Sequence, residues 1–314
     1  MDGVREISVV MPLYNKERHV ERAVRSILAQ TIQPAEIIVV NDGSTDNSVS
    51  VVEKIADPRI RIINQKNAGV SAARNRGIRE ARFELVAFLD SDDEWKSDFL
   101  ETIYDLIDRY PEAGAYATAY ETIDTDAVLR RVAYRSIPEP PWSGIIPDFF
   151  SSMLGQPPVW ASAVTIRKKV FDNSGFFKEG EVLAEDVDMW CRIALKYPIA
   201  FNTKACAVYH LDADNRCYTR GKINKKATGY IETLTAAKQD QSLPEAVRHN
   251  ISVLRETVEL GYAASLIFGH EAKAARKVLK EFECVHMKKK KLMWQVFSYF
   301  PVKVLETMMD IKNR

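Results

Sequence analysis

The chain has 314 residues, 46% of them hydrophobic, and carries 44 Lys and Arg against 43 Asp and Glu. That length and composition bury a sizeable core, enough for one large α/β domain plus an appendage, and exclude a disordered chain. A formal charge of +1 gives no global pull toward polyanions, so no nucleic acid partner is expected.

Cys191, Cys206, Cys217 and Cys284 form no CxxC pair, which argues against a zinc ribbon or a redox dithiol and suits a reduced, cytoplasmic setting. The polar start Met1 to Glu6 runs straight into a strand and predicts no signal peptide. No uninterrupted apolar run reaches the roughly 18 residues of a membrane span.

Ile7 to Met11 reads as a buried first strand stopped by Pro12, with Tyr14-Asn15-Lys16-Glu17 as the polar loop behind it. From His19 to Gln30 the apolar positions Val20, Ala23, Val24, Ile27 and Leu28 recur at helical spacing. Glu36 to Val40 is a second strand ending at Asn41-Asp42-Gly43-Ser44-Thr45-Asp46, followed by a helix over Asp46 to Ile55 and a strand over Ile60 to Ile63. Asn67-Ala68-Gly69 punctuates before a helix from Val70 to Ala81. Leu85 to Leu89 is then an apolar run that ends abruptly in Asp90-Ser91-Asp92-Asp93, a buried strand with an acidic loop at its carboxyl end. This alternation predicts an α/β fold with a mostly parallel sheet, right-handed crossovers and flanking helices.

A helix over Asp98 to Arg109 and a strand over Ala115 to Tyr120 follow. Asp124 to Gln156, with Pro138, Pro140, Pro141, Pro147 and Gly144, reads as a loop-rich excursion holding one short helix near Asp148 to Leu154. Ala163 to Ile166 returns as a strand, Ala184 to Lys196 as a helix opening with Glu185-Asp186, and Ala205 to His210 as a late strand. Past Tyr218 three or four helices are expected, among them Leu243 to Phe268 and Ala272 to Phe282. The boundary is placed between Asp212 and Lys225, giving a catalytic domain over 1–217, with halves 1–121 and 122–217, and a helical region over 218–314.

Parallel strands joined by right-handed crossovers put their carboxyl ends on one sheet edge, where open α/β sheets bind ligands. Tyr14 and Glu17, Asp42, and Asp90 to Asp93 should therefore converge. An aromatic ring stacks on a base, a carboxylate accepts the imide N–H of a uracil, and Asp-x-Asp oxygens suit Mg2+ or Mn2+, which in turn holds a diphosphate. Together these describe a pocket for a nucleoside diphosphate. No G-x-G-x-x-G turn or G-x-x-x-x-G-K-[ST] loop is present, so phosphate falls to cations and metal rather than to a glycine-rich nest. The plain alternative is a solvated acidic turn at a helix start.

The text Val9-Val10-Met11-Pro12-Leu13-Tyr14-Asn15, Ser26-Ile27-Leu28-Ala29-Gln30-Thr31, Glu36 to Asp46, Asn67 to Gly77 and Phe88 to Asp93 resembles, in order and interval, the family 2 inverting glycosyltransferases of the GT-A fold. The resemblance implies that Pro12, Tyr14 and Glu17 line a nucleoside pocket and that Asp42 reads the base. It puts Arg74 near the base or diphosphate, Asp90 near the ribose with Ser91 beside it, and Asp92 on the metal, with His210 as a further metal or diphosphate ligand. Glu185-Asp186 resembles the family's second acidic motif: Asp186 would be the base that deprotonates the acceptor, with Glu185 as its supporting neighbour. Trp160 and Trp190 are candidates for the floor under an acceptor sugar and equally for the core. The Gln-x-x-Arg-Trp motif and membrane spans of processive members are missing, which favours addition of a single sugar. Where many relatives place a proline after the acidic loop, this chain has Trp95-Lys96-Ser97.

The expected function is metal-dependent, non-processive inverting transfer of one sugar from a UDP-linked donor to a hydroxyl of a glycan or lipid-linked saccharide. Two alternatives stay open, a sugar nucleotidyltransferase and a non-catalytic nucleotide-sugar binder or membrane scaffold. The tail starts with Lys288-Lys289-Lys290-Lys291 and then sets Leu292, Met293, Val296, Phe297 and Phe300 at helical spacing, with Pro301 before Val304, Leu305, Met308 and Met309. Such a segment suits peripheral association with an anionic membrane at the inner face of the cell, or equally a helix packed on the protein with its lysines in water.

Overall fold

The computed structural model describes residues 6–124, 126–211, 213 and 226–312, the last five of them as backbone. The boundary expected between Asp212 and Lys225 and the residue Cys217 lie outside the described residues, Ala213 apart. The chain divides into two compact units, Met1–Glu181 with Glu185–Asn215, and Val182–Ala184 with Arg216–Arg314.

The first unit is a mixed α/β layer structure around a ten-stranded sheet of order β3-β2-β1-β4-β9-β6-β10-β5, with β7 on β6 and β8 on β10. Strands β1 (Ile7–Leu13), β2 (Glu36–Asn41), β3 (Ile60–Asn64) and β4 (Leu85–Phe88) are joined by helices α1 (Val20–Leu28), α2 (Ser48–Glu53) and α3 (Val70–Glu80). They pair in parallel, Val9 against Ile37 and Ala87, and Val39 against Ile62. Burial on both faces explains the uninterrupted apolar runs of β1, β2 and β4. Helix α1 turns Val20, Ala23, Val24 and Ile27 into the core, all fully buried.

Strand β1 continues through Pro12 rather than stopping there, because the last residue it pairs with β4 is Val10. The carbonyl of Leu13 accepts from Asp42 on the β2 side, so Pro12, one residue earlier, faces the β4 side past the end of that ladder, where no N–H is required.

Strand β5 (Glu94–Trp95) and helix α4 (Phe99–Arg109) lead to β6 (Ala115–Ile123); β7 (Leu129–Arg131), β8 (Ser143–Ile145) and the single turn α5 (Phe149–Ser152) occupy the proline-rich excursion. A 3-10 turn over Ala161–Ala163 enters β9 (Val164–Arg167), which runs antiparallel to both β4 and β6. After α6 (Val170–Ser174) and α7 (Glu185–Ala194), β10 (Ile199–His210) lies parallel to β6. Strands β1, β2, β3, β4, β6 and β10 thus share one direction, and the loops after β1, β2, β4, β6 and β10 open on one edge.

Among the described residues the second unit holds five helices, where three or four were expected: α8 (Thr228–Gln239), α9 (Glu245–Phe268), α10 (Ala272–Glu281), α11 (Lys288–Phe297) and α12 (Val302–Lys312). Its core gathers Leu260, Ala263, Leu279 and Phe282 in one cluster and Leu266, Ile267, Ala275 and Leu305 in another.

Candidate active site

The carboxyl end of β4 is turned by its own backbone, with the Asp93 N–H donating to the Asp90 carbonyl at 3.1 Å. That turn sends its acids in different directions. Asp93 points inward, accepting from Ser162 Oγ at 2.6 Å and from the His210 N–H at 3.2 Å, while Ser162 Oγ accepts from the Asp90 N–H at 3.0 Å. Burial first, then the charges of Asp92 and Asp90, pushes the Asp93 carboxyl well above the ordinary carboxylate range. Asp92 keeps partial exposure and meets Lys16 Nζ at 2.7 Å, and Arg22 donates to the Asp92 carbonyl at 2.5 Å. Glu94 lies 3.4 Å from Arg22 Nε and 3.5 Å from His210 Nε2, and the His210 imidazole holds its carboxyl below the usual range. Trp95, standing where a proline was looked for, fixes the exit of the turn: it stacks on Phe99 at 4.2 Å and donates from Nε1 to the Ser162 carbonyl at 2.7 Å.

Arg74 ties this turn to the second acidic pair. Its side chain, 3% exposed, donates to both Asp90 oxygens at 2.8 and 3.0 Å and to Glu185 Oε1 at 3.0 Å, with the guanidinium 5.4 Å from the Phe177 ring centroid. Burial opposes its charge, yet Asp90, Glu185 and Asp186 together hold the guanidinium above its normal proton affinity. Asp186, in the first turn of α7, is half-buried. Burial and then the Glu185 charge push its carboxyl up to about 7, against the opposing pull of Arg74 and the Val187 N–H. A carboxyl poised there is matched to general-base work near neutral pH.

At the Tyr14 end of this edge the loops behind β1 and β2 are zippered together. The Asn15 side chain accepts from the Thr45 N–H at 2.8 Å, the Lys16 N–H donates to Ser48 Oγ at 2.7 Å, and Glu17 Oε2 accepts from the Asn47 N–H at 2.9 Å. Tyr14 projects from this edge, 45% exposed, and Pro12 precedes it at the strand end. Asp42 is buried and accepts from Gln65 Nε2 at 2.8 Å and from the N–H groups of Ala68 at 2.9 Å and Gly69 at 2.8 Å. It therefore organises the start of α3, and its contact with a base remains an expectation from resemblance. Ser91 is buried inside the acidic turn.

A model of the family described as Glycosyl transferase family 2 matches residues 8–173, more than half of the chain. The chain belongs to glycosyl transferase family 2. Over 126 residues it is 39% identical to the glycosyltransferase GlyA of Streptococcus pneumoniae serotype 4, which is 40% of this chain and 18% of that protein. The uncharacterized glycosyltransferase YibD of Escherichia coli K12 is 44% identical over 105 residues, 33% of this chain and 30% of YibD. The matched stretch thus spans less than a third of either relative. In three dimensions the chain resembles S. aureus TarS 1-349, solved in complex with UDP-GlcNAc, with a TM-score of 0.66, 18% identity and coverage of 94% of this chain and 89% of that one. At that identity the likeness is one of fold, the GT-A type anticipated above.

Within this family 2 scaffold the structure gathers Asp90, Asp92, Arg74, Glu185 and Asp186 at one edge, with His210 joining through Asp93 and Glu94. It also gives roles to residues to which the sequence reading assigned none: Lys16 and Arg22 as counter-charges, Asp93, already part of the acidic motif, with Ser162 as the buried anchor of the turn, and Asn75. Asn75 donates from Nδ2 to the Phe177 carbonyl and to Glu179 Oε1, both at 2.9 Å, and accepts from the Phe177 N–H at 3.0 Å. Its place in Arg74-Asn75-Arg76-Gly77 was the one available signal. Trp190 is fully buried against Phe177 and so belongs to the core rather than to a sugar platform. Trp160 is half-buried between Tyr120 and Tyr209, with ring centroids 4.8 Å away on both sides.

The donor set fits a hard divalent ion. Among the described residues the six carboxylates Asp90, Asp92, Asp93, Glu94, Glu185 and Asp186 are answered by Lys16 at Asp92, Arg22 and His210 at Glu94, and Arg74 at Asp90 and Glu185, and burial first, then the neighbouring carboxylates, raises the proton affinity of Asp90, Asp93 and Asp186. Among the described residues no three His, Cys, Asp or Glu form an all-protein cage. Mg2+ is usually bound by one or two carboxylates completed by substrate phosphate and water. Asp90 is engaged by Arg74, Asp93 by Ser162 and the His210 N–H, and Asp92 by Lys16, whose ammonium a cation on Asp92 would have to displace.

Proposed function

We propose that this protein moves one sugar from a UDP-linked donor to a hydroxyl of a glycan or lipid-linked saccharide, with inversion at the anomeric carbon and without processive elongation. The observation that carries this reading is Asp186, a carboxyl titrating at about 7, joined through the Arg74 bridge between Glu185 and Asp90 to the acidic turn that ends β4.

In the reaction the acceptor O–H gives its proton to Asp186. The oxygen lone pair attacks the anomeric carbon, the bond to the diphosphate oxygen breaks, and its electrons leave with the nucleoside diphosphate. Attack from the face opposite the leaving group inverts the centre. Arg74 holds Asp90 and Glu185 in place and stabilises the ionised base. Tyr14, exposed on the β1 loop, would stack on the base. A Mg2+ or Mn2+ ion held by Asp92, with His210 at the far side of the turn, would supply the charge that neutralises the departing diphosphate. The complexes of S. aureus TarS with UDP-GlcNAc and with UDP support a nucleotide-sugar donor for a chain of this fold.

An acceptor has room in a cavity of about 1040 Å3 bounded by β6, the Asn202–Ala205 bend of β10 and the proline-rich segment. Tyr120 lines that cavity, and burial with the Asp186 charge raises its phenol pKa. Incubation with a panel of nucleotide sugars and Mn2+, with the released nucleotide identified, tests the reading. Nucleoside diphosphate is the expected product; pyrophosphate, or binding without turnover for every donor, overturns it.

A further inference from the structure

Large apolar side chains left in water are concentrated in one place on this protein. Of the twelve that stand exposed among the described residues, seven fall between Val285 and Val304. They are Val285, Leu292, Met293, Val296, Tyr299, Phe300 and Val304, with Leu292 61% and Tyr299 75% exposed. Monomeric proteins scatter such residues singly, and a cluster marks a surface that something covers.

The helix carrying them is not loosely placed. Trp294 of α11 packs edge-on against Phe268 of α9 and against Phe297, and Leu305 of α12 is buried beside Leu266 and Ile267. The Glu256 carboxylate accepts from the backbone N–H groups of Val285, His286 and Met287, fixing the turn that enters α11. Arg276 donates to the Ser298 carbonyl at 2.7 Å and lies 4.6 Å from the Tyr299 ring centroid. Trp294 and Phe297 thus supply the inward face, and Leu292, Met293, Val296 and Phe300 the outward one.

Charge decides what covers it. From Val285 to Val304 the chain has five lysines, Lys288, Lys289, Lys290, Lys291 and Lys303, and no Asp or Glu. Lys291 turns inward onto the Phe282 carbonyl, but Lys288, Lys289 and Lys290 are exposed one turn before Leu292 and Met293. An apolar strip with aromatic residues and a run of exposed lysines along its leading edge, with Glu283 and Glu306 just beyond its ends, is complementary to an anionic lipid surface, where acyl chains receive the apolar side chains and headgroups the ammonium groups. We infer that the outward face of α11 and the start of α12 form a docking surface for an anionic bilayer. This stands independently of the sugar-transfer reading, because none of its residues belongs to the proposed active site.

Co-sedimentation of the full chain with vesicles of phosphatidylcholine alone and of phosphatidylcholine with 30% phosphatidylglycerol tests the inference. Binding is expected to the anionic vesicles, to weaken with salt, and to be slight on the neutral ones. Each surface lysine contributes roughly fivefold, so the triple variant K288Q/K289Q/K290Q should lose on the order of 100-fold in partitioning at low salt. Leu292→Ser with Phe300→Ser should remove binding to both vesicle types, and the circular dichroism of both variants should match wild type because every altered side chain is exposed. Equal binding to neutral and anionic vesicles, no binding to either, or a self-association in ultracentrifugation that the serine variant abolishes would overturn it.

Discussion

Replacing Asp186 by Asn should make the protein slower and, at alkaline pH, more stable. Folded, Asp186 keeps its proton up to about pH 7, whereas an unfolded aspartate releases it near 3.8. Between those values the folded chain binds more protons than the unfolded one, so its stability falls as the pH rises through the interval. The interval corresponds to about 4 kcal/mol as an upper bound, and solvent access to the half-buried side chain brings it to about 2 kcal/mol. Asparagine never takes on the charge, so at pH 8 Asp186→Asn should melt about 4–8 °C above wild type. At pH 5 the gain should shrink to about a third. Turnover should fall roughly 10²- to 10⁴-fold with donor affinity nearly intact, and wild-type turnover should climb with pH through an apparent value near 7. Thermal unfolding at both pH values, calorimetry with the donor and initial rates over pH 5 to 9 supply the numbers. Near-normal turnover of the variant, or a wild-type rate flat across neutrality, would show that Asp186 is not the base.

Arg74→Gln removes the counter-charge shared by Asp90, Glu185 and Asp186, and should cost about 3–5 kcal/mol in urea unfolding. Because Arg74 pulls the Asp186 carboxyl down, the same variant should shift the rising limb of the pH–rate curve above 7. In Gly77→Ala the new Cβ would come within 2.3 Å of Val10 Cγ1 on β1, which predicts a loss of about 1–3 kcal/mol despite alanine's better helix propensity. A Val10→Ala background should recover part of that loss, and a double-mutant cycle measures how much. Chelation with EDTA should suppress nucleotide release and weaken donor binding, and Mn2+ or Mg2+ should restore both; full activity in EDTA would remove the cation from the proposed site.

The half of the fold from β1 to β4 was readable because buried parallel strands leave an unbroken apolar trace and their helices a periodic one. Strands β7 and β8 left no such trace: they have three residues each, and Leu129-Arg130-Arg131 is exposed throughout. Strand β10 was only half legible, since irregular pairing between Asn202 and Ala207 interrupts the alternation that would have extended it back to Ile199. Within the acidic turn the sequence offers Asp90, Asp92 and Asp93 as equals. Only the positions of Ser162 and the His210 N–H separate the buried structural acid from the one that faces outward, and both come from distant segments. Trp190, open to a core reading as much as to an acceptor floor, was undecided for a similar reason, because an aromatic residue within a helix looks the same whether it faces a ligand or the core.

Helix α3 shows why one short block of sequence reports on so much of the site. Its N-terminus is set by Gly69, in a left-handed conformation with φ of 91°, whose N–H donates to Asp42 at the end of β2. One turn on, Arg74 reaches Asp90 at the end of β4 and Glu185, 111 residues further along the chain. Asn75 grips the backbone of Phe177 in the segment leading toward α7, and Gly77 lets the helix lie against Val10 of β1. Each residue answers to a different strand or segment, so the spacing within Asn67 to Gly77 records the relative positions of β1, β2, β4 and α7. A substitution here is therefore expected to disturb the alignment of the donor loops with Asp186 before it disturbs either part alone. The signature of that coupling would be a change in turnover that exceeds the change in donor affinity.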